Sequence, residues 1–332
     1  MAAGSNASGE DSLIARYFKP LATDPGAFGL TDDSAVLKAE GCDMVVNTDA
    51  IVEGVHFLPD DPADTIARKA LRVNLSDLAA KGATPAGFVL TLALRATDHG
   101  WLSEFARGLG EDAALFECPL LGGDTVYTPG PLMISITAFG RVPVGKMVRR
   151  AGAIVGDRVV VTGTIGDAAL GLAVLKGAAA AEALAGDVAM TGALVSRYRV
   201  PQPRNALAKA VRDHASAAMD VSDGLAGDLA KLCATSGVSA TIEAQAIPLS
   251  APVKFLVECG IVGIEAIVAG GDDYEIICTI PEDRFAAFAH AARLAGVSIA
   301  TIGTVVAGSS APRFLDVQGR EIALKRLSYS HF

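Results

Sequence analysis

The chain has 332 residues, of which 51% are hydrophobic and 20% charged, so it can bury a substantial core and its length favours two domains. Its formal net charge of −9 disfavours a nucleic-acid partner, whose phosphates would be repelled. The five cysteines are odd in number and never stand at CxxC spacing, which argues against a disulfide framework and against a zinc site.

The first segment, 1–12, is predicted to be a flexible tail. Residues Met1 to Asp11 are small and polar and lack the basic start and apolar run of a secretory signal peptide. No apolar run in the chain approaches the roughly 18 residues that a membrane span needs. We therefore expect a cytoplasmic protein with no membrane partner.

The first half, 13–145, is predicted to be an α/β domain because apolar, β-rich runs alternate with helical patterns. The predicted elements are the strands Met44–Val52, Gly87–Leu94 and Met133–Val142 and the helices Asp64–Lys81 and Gly100–Phe116. A glycine-punctuated basic stretch, Pro143–Asp157, is typical of a connection between domains.

The second half, 146–332, is predicted to be another α/β domain with the same kind of alternation. The predicted elements are the strands Asp157–Thr162, Ala217–Val221, Ser239–Ala244, Tyr274–Thr279 and Ser298–Val305 and the helices Ile165–Lys176, Pro203–Arg212, Gly224–Thr235 and Arg284–Leu294. The alanine-rich segment Gly177–Gly186 between them is interpreted as surface helix or loop. The predicted fold class is therefore α/β throughout.

Aspartates recur beside small or turn-forming residues, in five segments. These are Thr31–Ser34, Asn47–Asp49, Gly122–Thr125, Asp220–Gly224 and Gly270–Tyr274. Each segment alone is typical of an ordinary turn or helix cap. Loops at strand ends are where α/β folds usually bind ligands. Three of the segments follow apolar, strand-like runs, namely Met44–Val46, Cys118–Leu121 and Ile264–Ala269.

A further carboxylate, Asp77, falls inside a helical pattern and shares one helix face with Asn74 and Lys81. Ionised carboxylates about 4 Å apart repel by roughly 4 kcal/mol at an effective dielectric of 20, so a cluster of them needs cations. Magnesium suits such a site, since it takes carboxylate, water and phosphate oxygens. The Gly122–Gly123 pair would let backbone N–H groups approach a phosphate, although this signal is weak.

Several motifs in the same order resemble those of the thiamine-monophosphate kinase family, in the superfamily of aminoimidazole ribonucleotide synthetase. They are Asn47–Asp49, Gly54–Pro59, Val73–Ala80, Leu121–Thr125, Val161–Thr164, Asp220–Leu225 and Gly270–Glu275. The resemblance implies a two-domain α/β (α+β) fold whose N-terminal sheet domain forms a homodimer. It also implies ATP-dependent phosphorylation of thiamine monophosphate to thiamine diphosphate by direct γ-phosphoryl transfer, the last step of thiamine diphosphate biosynthesis.

The same resemblance assigns roles to individual residues. Several Mg²⁺ ions would be bound by Asp33, Asn47, Thr48, Asp49, Asp77, Asp124, Asp220 and Asp223. ATP would contact Gly123, Asp124, Arg150 and Ser222, and the thiamine moiety would contact His56, Asp272 and Phe332. Asp272 stands where the family commonly has Glu, so its carboxylate is one methylene shorter.

No catalytic general base is expected, because a phosphate acceptor is already ionised at neutral pH and phosphoryl transfer depends on positioning and charge neutralisation. Two alternatives stay open at this point. One is a sister enzyme of the superfamily with another acceptor, although the chain lacks the N-terminal Cys or Sec and Lys of selenophosphate synthetases. The other is a metal-binding scaffold without activity.

Overall fold

The computed structural model describes Phe28, Thr31, Asp32, residues 35–39 and residues 41–328. The predicted tail and the predicted site residues Asp33 and Phe332 lie outside the described residues. Two sheets, one in each half of the chain, organise the described part. No helix in this part is long and apolar enough to cross a membrane.

The N-terminal sheet has five strands in the order β1-β2-β5-β3-β4, antiparallel except for the β3–β4 pair. The strands are β1 (Ala35–Ala39), β2 (Cys42–Val52), β3 (Thr84–Leu94), β4 (Leu120–Tyr127) and β5 (Met133–Val142). Two helices, α1 (Ala63–Ala80) and α2 (His99–Leu115), belong to the same half. Alternate residues of β5, such as Ile134 and Ile136, are buried in the core that this sheet shares with α1.

The other face of this sheet and its β4 edge are open. All eight residues of β4 are exposed, including the large apolar side chains of Leu121, Val126 and Tyr127. Thr48 and Ala50 of β2 are exposed as well. An uncovered edge strand with apolar side chains is typical of a surface that pairs with another chain.

The C-terminal sheet has six strands in the order β11-β8-β10-β6-β9-β7. Its strands are β6 (Arg158–Thr162), β7 (Ala217–Val221), β8 (Ser239–Glu243), β9 (Glu275–Ile280), β10 (Ile299–Val306) and β11 (Arg313–Leu315). Its helices are α3 (Asp167–Leu175), α4 (Ala179–Ala183), α5 (Val188–Arg199), α6 (Ala208–His214), α7 (Leu225–Ser236), α8 (Ala251–Glu258), α9 (Ile264–Val268) and α10 (Glu282–Leu294). β7 and β9 are buried along their whole length, as expected for strands covered on both faces.

Helix α1 joins the two halves, because it is buried on nearly every side. Its Ala79 and Ala80 pack into a core cluster of the C-terminal half. Polar bonds cross the same boundary: Arg72 Nη1 donates to the carbonyl of Pro201 at 2.9 Å, and Asn205 donates to the carbonyl of Leu75 at 3.1 Å. A surface helix normally buries one stripe, so the burial of α1 all round marks it as an interior element.

Most predicted elements are confirmed to within a few residues, and Met133–Val142 and Ala217–Val221 match at both ends. Two segments interpreted as loops are wrong, since Asn47–Asp49 lies within β2 and Gly122–Thr125 within β4. The apolar run Ile264–Ala269, interpreted as a strand, is the short helix α9. Such a short apolar run has no periodicity that separates strand from helix.

Candidate active site between the two domains

The first part of the site lies where β2 faces α1. The Asn47 side-chain nitrogen donates to the Asp77 carboxylate at 2.9 Å and to the Asn74 side-chain oxygen at 3.1 Å. The Asn74 oxygen also accepts from the backbone N–H of Asp49 at 3.1 Å. These bonds fix the orientation of the Asn47 amide, and its own oxygen is buried without a hydrogen-bond partner among the described residues. A buried, unsatisfied oxygen is costly unless a cation or water meets it.

Carboxylates from both domains meet beside this oxygen. Burial, the charge of Asp220 and the charge of Asp49 together raise the pKa of Asp77 well above its usual value. Burial raises the pKa of Asp220 to about 7, with further contributions from Asp228 and Asp49. The predicted ligands Asp49 and Asp220 are therefore close enough to Asp77 to disfavour its ionisation, and Asp49 also disfavours that of Asp220. This is the electrostatic condition that a divalent cation relieves.

A buried ammonium group, that of Lys81, lies near these carboxylates. Lys81 is fully buried, and its Nζ lies 2.7 Å from the Asp32 carboxylate and donates to the carbonyl of Ala218 at 3.1 Å. Its charge lowers the pKa of both Asp77 and Asp220. Lys81 thus supplies one fixed positive charge, which offsets only part of the negative charge of the cluster.

The loop after β7 is held by its own helix. The buried Asp228 carboxylate of α7 accepts from the backbone N–H groups of Ser222, Asp223 and Gly224 at 3.1, 3.0 and 3.2 Å. Burial raises the pKa of Asp228 to about 6, whereas the nearby Lys231 lowers it. Three successive N–H groups could otherwise bind a phosphate, so the loop can approach a nucleotide through side chains such as the Ser222 hydroxyl.

Two basic residues lie near this loop: Arg150, which is predicted to contact ATP, and Lys231, which is not. Lys231 Nζ lies 2.6 Å from the Asp223 carboxylate. The charge of Arg150 contributes to the pKa values of Asp228 and Lys231, and the Arg150 backbone N–H donates to the Asp32 carboxylate at 2.8 Å. The basic connection is therefore close to the Ser222–Asp223 loop.

The loop 270–274 is bonded directly to the loop after β7. The backbone N–H of Asp272 donates to Ser222 O, and that of Tyr274 to Val221 O, both at 2.8 Å. A Cβ at Gly271 would lie 2.5 Å from Ser222 O, which explains the glycine there. Asp272 and Tyr274 have positive φ angles of 70° and 50°, a strained conformation that is frequent at functional sites.

Tyr274 lies among several of these carboxylates. Burial raises the pKa of its hydroxyl, and the charges of Asp272, Asp49, Asp220 and Asp223 raise it further. Carboxylates of the N-terminal and C-terminal domains thus surround one side chain. Asp49 of the first half and Asp220 and Asp223 of the second therefore lie close together at the domain boundary.

Two of the predicted acceptor-side residues, His56 and Asp272, contact the same lysine. Lys69 Nζ donates to the carbonyl oxygen of His56 at 2.7 Å and to the Asp272 carboxylate at 3.0 Å. The His56 ring accepts at Nδ1 from the backbone N–H of Val52 at 3.0 Å, so its Nε2 carries the proton when the ring is neutral. His56 and Asp272, far apart in sequence, lie on either side of one ammonium.

Three predicted residues lie elsewhere on the sheet. The Thr48 side chain faces away from Asn47 and donates to Ile136 O at 3.1 Å. Gly123 and Asp124 lie on β4, three strand spacings or about 14 Å from Asp49. Asp124 pairs with Thr91 and faces the open side of the sheet, whereas Gly123 lies where a Cβ would collide with Leu90 O. The ligand roles of these three residues stay predictions.

The donor set fits magnesium, provided that other oxygens complete its coordination. Among the described residues, no three carboxylate, imidazole or thiol groups converge tightly enough to hold an ion unaided. Magnesium commonly uses one or two carboxylates together with water and substrate phosphates. The unsatisfied Asn47 oxygen and the crowded Asp77 and Asp220 carboxylates are consistent with that kind of site.

Sequence reasoning did not assign a site role to Lys69, Asn74, Lys81, Asp228 or Tyr274. For the residues of α1 the available signal was a row of polar side chains inside an alanine- and leucine-rich helix. A helix buried on both sides presents polar groups only where they have partners. Nothing in the local pattern predicted that Asp228 would accept from the loop preceding its own helix.

Both halves of the chain match described protein families. Residues 31–142 match the family described as AIR synthase related protein, N-terminal domain, and residues 155–313 match the corresponding C-terminal domain. The thiamine-monophosphate kinase of Caulobacter vibrioides is 43% identical over 324 residues, covering 96% of this chain and 89% of the relative.

Two solved structures are similar over almost the whole chain. The thiamine-monophosphate kinase of Stenotrophomonas maltophilia K279a has a TM-score of 0.76 at 35% identity and covers 95% of this chain and 98% of its own. A structure of AaThiL complexed with AMPPCP and TMP has a TM-score of 0.79 at 28% identity and covers 92% of this chain and 97% of its own.

Proposed function

The chain belongs to the thiamine-monophosphate kinases of the AIR synthase-related family, and we propose that it transfers the γ-phosphoryl group of ATP to thiamine monophosphate in the cleft between its two domains. Its relative AaThiL binds AMPPCP together with TMP, which supports a site with room for a nucleotide and an acceptor. The observation that carries this location is the convergence of Asp49, Asp220 and Asp223 around Tyr274, with Asp77 beside Asp49 and Asp220.

Magnesium ions would be held by the Asn47 oxygen and by the carboxylates of Asp49, Asp77, Asp220 and Asp223, with Asp33 as a further predicted ligand outside the described residues. Bound there, they would neutralise phosphate oxygens and orient the phosphoryl group. The protein fixes these ligands before substrate arrives, since the Asn74 side chain orients both Asn47 and the Asp49 backbone. Such prior organisation removes reorganisation cost from the reaction.

Positive charge on the nucleotide side would come from Arg150 and Lys231. Arginine can bind a phosphate through two parallel hydrogen bonds. Asp228 holds the Ser222–Asp223 loop in shape, so the Ser222 hydroxyl has a fixed position from which to contact ATP. No side chain is needed to remove a proton, because the attacking oxygen belongs to an ionised phosphate.

The acceptor would lie beside His56 and Asp272. The thiazolium ring of thiamine is cationic and its aminopyrimidine carries an N–H donor group, so a carboxylate is a chemically suitable neighbour for either. Phe332 is a further candidate that lies outside the described residues. The acceptor and the nucleotide would then approach the acidic cluster from different sides.

A magnesium-dependent assay of ADP release with several acceptors tests this function. We expect turnover with thiamine monophosphate and none with unphosphorylated thiamine, formylglycinamidine ribonucleotide or selenide. Turnover with one of the other acceptors instead would identify a sister enzyme, and no turnover with any acceptor would favour the scaffold.

The open sheet face supports a homodimer in which each site uses both subunits. In one chain, Asp124 lies on the opposite face of the sheet from Asp49 and three strands away, too far for a shared ion. The exposed apolar side chains of Val126 and Tyr127 beside it would be covered by a second copy. In this arrangement Gly123 and Asp124 would complete the site of the other subunit. The cytoplasmic location stays a prediction.

A further inference from the structure

We propose that Lys69 of α1 is the positioning residue for the acceptor: its ammonium fixes the Asp272 carboxylate and the His56 turn relative to each other across the domain boundary. The inference rests on the proposed function, because it assigns the residue that organises the acceptor half of that site. The reaction itself does not require Lys69 to contact a transferred atom.

Lys69 is an unusual side chain for the middle of a helix, since only 1% of it is exposed. An unpartnered ammonium at that depth would cost several kcal/mol. Here it donates to His56 O and to the Asp272 carboxylate, and it lies 3.9 Å from the centre of the Tyr198 ring. The Lys69 ammonium is therefore fully engaged and has a single defined position.

The partners of Lys69 come from three separate parts of the chain. His56 lies in the turn after β2, Tyr198 near the end of α5, and Asp272 in the strained loop before β9. The Tyr198 hydroxyl also donates to His56 O, at 3.2 Å. One carbonyl oxygen thus accepts from two side chains, which fixes the turn that carries the His56 ring.

The effect on Asp272 is more specific. Its Oδ2 accepts from Lys69, and its Oδ1 lies 3.3 Å from the Tyr274 hydroxyl, which donates to it. Both carboxylate oxygens are therefore oriented by buried groups while the side chain stays 24% exposed. A carboxylate held at both oxygens has a fixed rotamer, so the distance from its exposed edge to an acceptor is set by α1.

Two buried lysines, Lys69 within α1 and Lys81 directly after its last residue, serve different parts of the site. Lys81 lowers the pKa of Asp77 and Asp220 and so acts on the ion cluster. Lys69 contacts His56 and Asp272, the two predicted acceptor-side residues that the structure describes. Loss of Lys69 should therefore affect the acceptor and leave the nucleotide unaffected.

The test is the steady-state kinetics of Lys69→Met. Thiamine monophosphate is varied at saturating Mg-ATP, and Mg-ATP is then varied at saturating thiamine monophosphate. Methionine keeps the volume and removes the charge. We expect KM for thiamine monophosphate to rise about ten- to a hundredfold, because a displaced Asp272 carboxylate would lose one charge-assisted hydrogen bond to the acceptor. KM for ATP should be unchanged. The matched control is Arg199→Met, which removes another interdomain ion pair, with Asp61, and touches neither His56 nor Asp272.

Two further measurements separate positioning from simple support of the fold. In the double variant Lys69→Met with Asp272→Asn, KM for thiamine monophosphate should rise no more than in the larger single variant, because both changes remove one interaction. A purely structural role would instead lower the thermal midpoint and raise both KM values. Equal changes in the two KM values, or additive effects in the double variant, would overturn the inference.

If Lys69→Met does not fold, Tyr198→Phe decides, because it keeps the ring under the ammonium and removes the hydroxyl that donates to His56 O. It should raise KM for thiamine monophosphate alone, by less than the lysine variant; an unchanged value would overturn the inference. Wild-type protein that fails to phosphorylate thiamine monophosphate would overturn the proposed function itself, a result distinct from an active wild type with an indifferent lysine variant.

Discussion

The interdomain cluster and strand β4 carry the same kind of sequence signal, an aspartate among small residues, yet their surroundings are opposite. Asp77 and Asp220 are buried and accept side-chain hydrogen bonds from Asn47 and Ser76, whereas Asp124 lies on a wholly exposed edge strand. The cluster is complete within one chain. The strand has the composition of a surface that becomes buried on association, in keeping with the proposal that Gly123 and Asp124 serve the site of a second subunit.

The largest effect should come from removing one carboxylate of each region. Asp49→Ala and Asp124→Ala should each lower kcat by about a thousandfold or more, since metal-mediated charge stabilisation is worth several kcal/mol. Thermal midpoints should stay near that of the wild type because both side chains are exposed. Near-normal activity in either variant would remove that residue from the site.

Mixing the two inactive variants tests whether the regions act in different subunits. If each site takes Asp49 from one copy and Asp124 from the other, random reassociation restores about a quarter of wild-type activity, because half of the dimers then have one intact site. Refolding or prolonged exchange of equimolar Asp49→Ala and Asp124→Ala, followed by the ADP assay, measures it. Activity that stays at the level of the separate variants would place both residues in one chain's site.

A charge on the open face should separate the subunits. Val126→Lys places a lysine beside Asp124 on β4, and we expect monomers in sedimentation velocity and loss of most activity with little change in stability. Val188→Lys is the matched control, because Val188 is 86% exposed on α5 and far from the sheet. A Val126→Lys protein with the wild-type mass would show that this face is not the interface.

A change in the buried interdomain region should lower stability as well as activity. Asp228→Ala leaves three backbone N–H groups of the 222–224 loop without their acceptor, and we expect a loss of about 3 kcal/mol in the free energy of unfolding. Asp228→Asn retains one acceptor oxygen and should lose less. Urea titration measures both, and an alanine variant as stable as the wild type would contradict the described role.

The smallest expected effect is a pH dependence at Asp273, a buried carboxylate that accepts from the backbone N–H of Gly166 at 2.8 Å. Burial raises its pKa well above 3.8. A raised carboxyl pKa stabilises the fold below the unfolded value and loses that contribution as pH rises through the folded value. Asp273→Asn should therefore gain stability relative to the wild type as the pH rises above the ordinary range of a carboxyl group, measured by thermal unfolding. A difference that is constant with pH would contradict this.

The sequence predicted the two α/β halves well because apolar periodicity reports burial, and burial determines most strands and helices here. It also predicted that carboxylates from both halves would meet. It did not predict that Asn47–Asp49 and Gly122–Thr125 continue their strands, because Asp, Asn and Gly are typical of turns and only sheet partners override that preference.

The contacts that orient the site residues could not be predicted from the sequence, for a related reason. Lys69 and Asp272 are 203 positions apart, and no local pattern reports a contact at that separation. The roles of His56 and Asp272 came from family resemblance, and only the fold brought them to one ammonium.

Helix α1 has a consequence for how substrates enter. A hinge motion that opened the two domains would break the bonds from Lys69 to Asp272, from Arg72 to Pro201 and from Lys81 to Ala218. It would also expose charged groups that now lie in the interior. Such an opening would cost many kcal/mol. Substrates should therefore enter and leave along the rim of a cleft that keeps its width, and the amide protons of α1 should be among the slowest in the protein to exchange with solvent.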